Sequence, residues 1–249
     1  MQRMKVEIWS DVVCPWCYIG KRRFESALER FEHHDQVEVE YRSFQLDPLA
    51  EKGQEGGLDE RLARKYGVDL ERARAMNAKV TQTAAGEGLA YRLDIARPGN
   101  TFDVHRLIHL AAAEGRQAEM KERALAAYFT EGRRIDDADT LVELAAEAGL
   151  DAGRARQALD GDEFAADVRA DEREAAELGI TGVPFFVLDR RYGVSGAQPA
   201  EVMTQALQQA WRDAHPITVV AGPARAAEDA ADVDGAGGTA ACDDGACPI

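Results

Sequence analysis

Four cysteines in 249 residues are too few for a framework of structural cross-links, and a chain this long buries enough core to need none. Basic residues are also scarce. Thirty Lys and Arg face 45 Asp and Glu, and the resulting net charge of -15 repels a phosphate backbone, which argues against nucleic acid as a partner. No run is apolar for long enough to span a bilayer, and Glu7 and Asp11 break the opening MQRMKVEIWSDVV where a signal peptide needs an uninterrupted apolar core. A cytoplasmic protein without membrane contact is therefore expected. Neither G-x-x-x-x-G-K-[ST] nor G-x-G-x-x-G follows a strand-like run, so no nucleotide site and no cofactor are expected.

What remains is ordinary globular material, 45% hydrophobic and 30% charged. Residues 4–9 and 37–46 are rich in strand formers, and a helix-like stretch from Pro15 to about His33 lies between them. From Leu58 to Leu178 apolar residues recur at three- and four-residue spacing, which predicts about six amphipathic helices. Val104, Leu107, Ile108 and Ala111 form one stripe, and Leu141, Leu144, Ala145 and Ala148 another, with Gly149 as its C-terminal cap. Strand signals return at Phe185 to Leu188 and Tyr192 to Ser195, before a helix from about Pro199 to Trp211. The order is thus α/β: β-α-β, a helical block, then β-β-α.

The stretch SDVVCPWCYIGKRRFESAL places Cys14 and Cys17 at the junction of the first strand and the first helix. In a reducing compartment, so few cysteines at C-x-x-C spacing read as catalytic, redox-sensing or metal-binding. Proline is favoured at the first position of a helix, because its missing N–H is one that no helical carbonyl would accept. Pro15 therefore puts Cys14 at the cap, where its sulfur should face unpaired N–H groups and the positive end of the helix dipole, both favouring a thiolate. Cys17 returns to the same face, within disulfide range but more covered. The intervening Pro15-Trp16 offers no histidine to add positive charge, and Asp11 opposes ionisation, so the effect on Cys14 should be moderate. Two other readings of the pair stay open. One is a pair of small buried hydrophobes; the other is a four-thiolate zinc site shared with a second pair, Cys242 and Cys247.

That second pair sits in an alanine-, glycine- and aspartate-rich tail, residues 216–249, expected to be disordered. Thirty residues separate Trp211 from Cys242, a flexible span of about 30 Å, enough to reach a site on the body. The expectation is an accessory redox pair that relays electrons to Cys14 and Cys17. His105 and His109, at helical i, i+4 spacing with no third ligand evident, read as surface or core-edge histidines. His33 and His34 are expected to answer a helix dipole, and Arg22-Arg23, Arg133-Arg134 and Arg190-Arg191 to be solvated charge. Met76, Val80, Phe164 and Val168 should face the core from the helical block.

SDVVCPWCYIGKRRFE, RSFQLDP, GNTFDVHRLIHLA, GVPFFV and YGVSGAQP together resemble the DsbA family of thioredoxin-fold thiol-disulfide oxidoreductases, and within it the cytosolic FrnE-like branch. The likeness runs from about Lys5 to Trp211. It implies a thioredoxin-like domain over 1–57 and 179–215 with an inserted helical domain over 58–178, which should form a lid; the flexible tail over 216–249 lies beyond the likeness. It also implies a cis peptide at Val183-Pro184 opposite the cysteines, with Val183 free to pair with an extended substrate segment. Protein thiols and disulfides become the expected substrates, and thioredoxin or glutathione candidate reducing partners, with no metal. Periplasmic members carry a signal peptide and a histidine between the cysteines. This chain has neither, so a reducing or isomerising direction, or reaction with oxidants under stress, is expected. Two rivals share parts of the pattern: glutathione-dependent transferases and isomerases of the kappa and hydroxychromene-carboxylate type, where serine usually replaces the first cysteine, and a zinc-linked redox sensor or chaperone.

Overall fold

A computed structural model describes residues 3–53 and 56–216. Four strands, β1 (Met4–Ser10), β2 (Val37–Ser43), β3 (Phe185–Leu188) and β4 (Tyr192–Ser195), form one sheet in the order β2-β1-β3-β4. β1 and β2 are parallel, joined through α1 (Pro15–Glu29), while β3 runs antiparallel to both β1 and β4. A parallel pair needs such a crossover, and the helix supplies it. Helix α1 is shorter than expected, because after the Arg30 cap the chain closes successive turns at Phe31 and His34 and enters a single 3-10 turn, His34–Gln36.

Seven helices rather than about six fill the stretch between the two halves of the sheet: α2 (Leu58–Tyr66), α3 (Leu70–Gly86), α4 (Phe102–Ala113), α5 (Gln117–Phe129), α6 (Ala138–Glu147), α7 (Ala152–Asp160) and α8 (Ala165–Glu177). Asp69, Asp137 and Asp151 cap α3, α6 and α7, each side chain accepting from the backbone N–H three residues on. Helix α6 ends as the glycine signal requires. Gly149 adopts φ 88°, its N–H bonds Ala146 O, and that of Leu150 reaches back to Ala145 O. The last helix, α9 (Ala200–Ala214), packs beside α1.

One core lies between sheet, α1 and α9, around Ile8, Phe24, Phe186, Leu207 and Trp211. A second, larger core lies among the helices, and Val12, Tyr18 and Ile19 of the cysteine segment belong to it. The helical block is therefore packed directly on the start of α1. Val168 is fully buried in α8, while Met76, Val80 and Phe164 are only partly buried. Among the described residues no helix is long and apolar enough to cross a membrane.

Two surface expectations are corrected. His33 does not sit in the last turn of α1; its ring stacks on Trp211 with centroids 4.2 Å apart, while His34 Nδ1 lies 3.1 Å from Phe31 O. The arginine pairs are not simply solvated. Arg22 bonds Glu122, Arg133 bonds Glu143 and Glu147, and Arg190 reaches the buried Glu7. Arg42 meets the same Glu7 at 2.6 Å, and both guanidiniums lie 5.9 Å from the centre of the buried Trp9 ring.

Candidate active site

Cys14 is the N-cap of α1 with extended backbone (φ -87°, ψ 112°), and Pro15 opens the helix. The local chemistry of proline fixes this arrangement: it supplies the helical φ and needs no hydrogen-bond acceptor. Cys14 N–H is held by Asp11 O at 3.3 Å, and Cys17 N–H by Cys14 O at 3.0 Å. Both thiols are free.

The bond Val183-Pro184 is cis. Its loop lies against the cysteines, and the Cys14 thiol donates to Val183 O at 3.5 Å. Here the structure departs from the sequence reading. The sulfur makes no capping bond to the helix N–H groups, because it turns toward the Val183 carbonyl instead. Nor is Cys14 the open member of the pair: it is 4% exposed and Cys17 3%, whereas Trp16 between them is 41% exposed. The side chain that solvent meets first is the indole. Gly20 lets the loop approach, since a Cβ there would fall 2.9 Å from Pro184 Cγ. From the helical block, Tyr91 donates to Pro15 O at 2.7 Å and stacks on Phe129 with centroids 4.7 Å apart.

Three buried polar groups follow, of which sequence reasoning named Asp11, set His105 at the surface or core edge, and missed Lys121. Asp11 is fully buried; its Oδ2 accepts from Leu46 N at 2.8 Å and its Oδ1 lies 3.3 Å from His105 Nε2. Burial pushes the Asp11 carboxyl up, but the bond to His105, the Leu46 N–H and the positive charge of Lys121 outweigh it and hold it below its ordinary value. His105, expected at the surface or core edge, is 1% exposed, and burial is the main reason its pKa lies below the usual imidazole value. It is therefore a neutral ring donating to a carboxylate. His109 alone is a core-edge histidine, 3.0 Å from Asp171 Oδ2 and 3.1 Å from Ser43 Oγ.

The third group, Lys121 of α5, donates to Ser10 O at 3.2 Å and is buried. Burial drags its pKa down to about 8, against the opposing pull of Cys17, Asp11 and Cys14. The Cys17 thiol moves the other way: burial and its neighbour Cys14 push it well up, with the charge of Lys121 a smaller opposing influence. The signal for the burial of His105 and Lys121 was phase. His105 follows the stripe residue Val104, and Lys121 falls in step with Leu125 and Tyr128, positions where a polar residue must be buried.

Among the described residues no group of three or more His, Cys, Asp and Glu is placed to hold a metal. Cys242 and Cys247, with the relay and the shared zinc site proposed for them, lie outside the described residues.

The fold is thioredoxin-like, with a dithiol at the cap of the first helix beside a cis-proline loop that leads into β3 of the β2-β1-β3-β4 sheet. Residues 5–208 match the DSBA-like thioredoxin domain, and the chain belongs to that family of thiol-disulfide oxidoreductases. It is 51% identical to the probable DsbA oxidoreductase SCO1869 from Streptomyces coelicolor, with a TM-score of 0.83, covering 89% of this chain and 97% of that one. It is 28% identical to the uncharacterized protein YwbO of Bacillus subtilis (strain 168), over 81% of this chain and 94% of YwbO. The cytosolic disulfide reductase DsbM from Pseudomonas aeruginosa, solved with GSH, shares the fold at 21% identity and a TM-score of 0.58, covering 84% of this chain and 99% of DsbM.

Proposed function

We propose that the protein exchanges disulfides with protein substrates in the cytoplasm, working in the reducing or isomerising direction. Cys14 attacks a substrate disulfide as thiolate and forms a mixed disulfide; Cys17 then attacks Cys14, releasing the substrate thiol and closing the Cys14–Cys17 bond. A thiol donor, thioredoxin or glutathione, reopens it. The Val183-Pro184 loop holds the substrate backbone beside the sulfur by strand-like pairing, a mode that depends weakly on substrate sequence.

The observation that supports this reading most is the contact between the Cys14 sulfur and the Val183 carbonyl of the cis-proline loop. On this reading, nucleophile, resolving thiol and substrate-binding backbone would act side by side. The test is reduction of insulin by dithiothreitol, beside a parallel assay with glutathione and an electrophile. Acceleration of the first that depends on Cys14 supports the proposal. Turnover of the second alone would make the protein a glutathione-dependent transferase or isomerase instead.

A further inference from the structure

The loop that carries Val183 is fastened more weakly than the strand it leads into. β3 and β4 pair in register from Leu188 with Tyr192 to Phe185 with Ser195, and one step further Gly196 N–H donates to Pro184 O at 2.8 Å. Residues so placed across an antiparallel ladder normally exchange two hydrogen bonds. Pro184 has no N–H to give back, so a single bond closes this end. Gly196 then adopts φ 79°, and the chain leaves the ladder.

Helix α1 supplies a hold beyond that point. Gly20 lies against the turn: a Cβ there would meet Pro184 Cγ at 2.9 Å and Ala197 Cβ at 3.4 Å. One helical turn on, the Arg23 guanidinium donates from Nη1 to Ala197 O at 2.6 Å and from Nε to Glu87 Oε1 at 2.6 Å. Glu87 is the C-cap of α3, so one side chain joins α1, the helical block and the turn between β4 and α9. The two side chains are 20% and 26% exposed, and an ion pair this open stabilises little by itself. The carbonyl contact sets Arg23 apart from the solvated charge that the sequence suggested. A planar guanidinium keeps its donors at fixed angles, so Glu87 holds the plane while Nη1 reaches Ala197.

Resting on the reading given under Proposed function, we propose that Arg23 is a positioning residue for the substrate: it fixes the turn between β4 and α9 and, through the bond from Gly196 to Pro184, the Val183 backbone on which an extended protein segment pairs. Arg23 makes and breaks no covalent bond and touches no reacting atom. With it in place the loop has its shape before the substrate arrives. Without it, part of the pairing free energy goes into ordering Val183, Pro184 and Gly196. That loss falls on the bound substrate and on the transition state alike, so affinity suffers and the exchange step does not. A small thiol reagent, which needs no backbone pairing, is indifferent to Arg23.

Glu87 acts only through Arg23. Removing its carboxylate frees the guanidinium to turn toward solvent, whereas glutamine keeps an oxygen that accepts from Nε. Lysine at position 23 keeps the charge as a point on a flexible stem and lacks the fork that reaches both partners at once. Two residues acting in series are non-additive, so loss of the second costs nothing once the first is gone.

The experiment uses the full chain with Cys242 and Cys247 changed to serine throughout, and sets insulin reduction by dithiothreitol beside alkylation of Cys14 by iodoacetamide. Arg23→Met, which keeps the aliphatic stem, should raise KM for insulin about fivefold, the scale of one net hydrogen bond, and change kcat and the alkylation rate less than about twofold. Arg23→Lys should stay nearer to Arg23→Met than to the parent, Glu87→Gln should stay near the parent, and Arg23→Met with Glu87→Ala should be no worse than Arg23→Met alone. Hydrogen exchange at Gly196 N–H, read by NMR, should quicken about fivefold in Arg23→Met, as the bond to Pro184 opens more often. An unchanged KM in Arg23→Met, a loss confined to kcat, additive losses in the double variant, or unchanged exchange at Gly196 overturns the proposal. A parent that reduces no insulin sinks the exchange reading instead, and Gly196 exchange then decides the brace alone. Should Arg23→Met fail to fold, Glu87→Ala decides: KM should rise at least about twofold with alkylation unchanged, and an unmoved KM overturns the proposal.

Discussion

The carbonyl oxygen of Val183 lies 3.5 Å from the sulfur of Cys14, across 169 residues of sequence. This contact ties the start of the first helix to the entry of the third strand. A substrate segment pairing with that loop would lie directly over the Cys14 sulfur.

Because the two cysteines have different parts in the proposed exchange, their serine variants should behave differently. Cys17→Ser should stop at the mixed disulfide and accumulate a covalent adduct on Cys14 when mixed with a disulfide-bonded protein. Cys14→Ser should trap none, since the Cys17 thiolate is strongly disfavoured. Non-reducing electrophoresis with peptide mass mapping reads both results. Equal trapping by the two variants would contradict the division of labour.

Gly20 tests the approach of the proline loop. An alanine there gains helix propensity, worth up to about 1 kcal/mol. Its Cβ, however, would meet Pro184 Cγ at 2.9 Å and Ala197 Cβ at 3.4 Å, and such overpacking costs about 1–3 kcal/mol. The clash should win. Gly20→Ala is expected to lose about 1 kcal/mol in urea denaturation and to reduce insulin more slowly, because the loop must move away from Cys14. Unchanged stability and rate would show that the loop yields freely.

The buried Asp11–His105 pair makes a pH prediction. Asp11 has a folded pKa below its ordinary 3.8, so its contribution to stability is present above that value and lost as pH falls through the folded one. His105 has a folded pKa below its ordinary 6.5; below 6.5 the unfolded chain binds a proton that the native ring refuses, and stability falls with pH there too. Both signs agree. Stability should decline from just below pH 6.5, and His105→Gln should flatten the upper part of that decline. Asp11→Ala, which strands the buried partners, should cost about 3 kcal/mol or more. Chemical denaturation across the range provides the check.

Where local chemistry dictates conformation, the chain could be read directly. Pro15 fixes the helix start and so the place of Cys14, Gly149 ends α6, and the runs of β-formers give β3 and β4 to the residue. The orientation of the Cys14 sulfur could not be read, because it depends on the Val183 carbonyl, which only the tertiary fold brings near. Lys121 and His105 were hidden for a similar reason. Each sits on a buried helical phase, but what the buried face meets is a strand end more than 90 residues away in sequence. Periodicity tells that a residue is inside and is silent on its neighbour.

The most direct measurement of the central claim is the thiol state of Cys14 and Cys17 across a series of glutathione redox buffers, read as intact mass after alkylation in the full chain with Cys242 and Cys247 changed to serine. The account predicts a two-electron transition between dithiol and an internal Cys14–Cys17 disulfide, lost in Cys14→Ser. A pair that stays reduced at every ratio, or ends only as stable glutathione adducts, would contradict it.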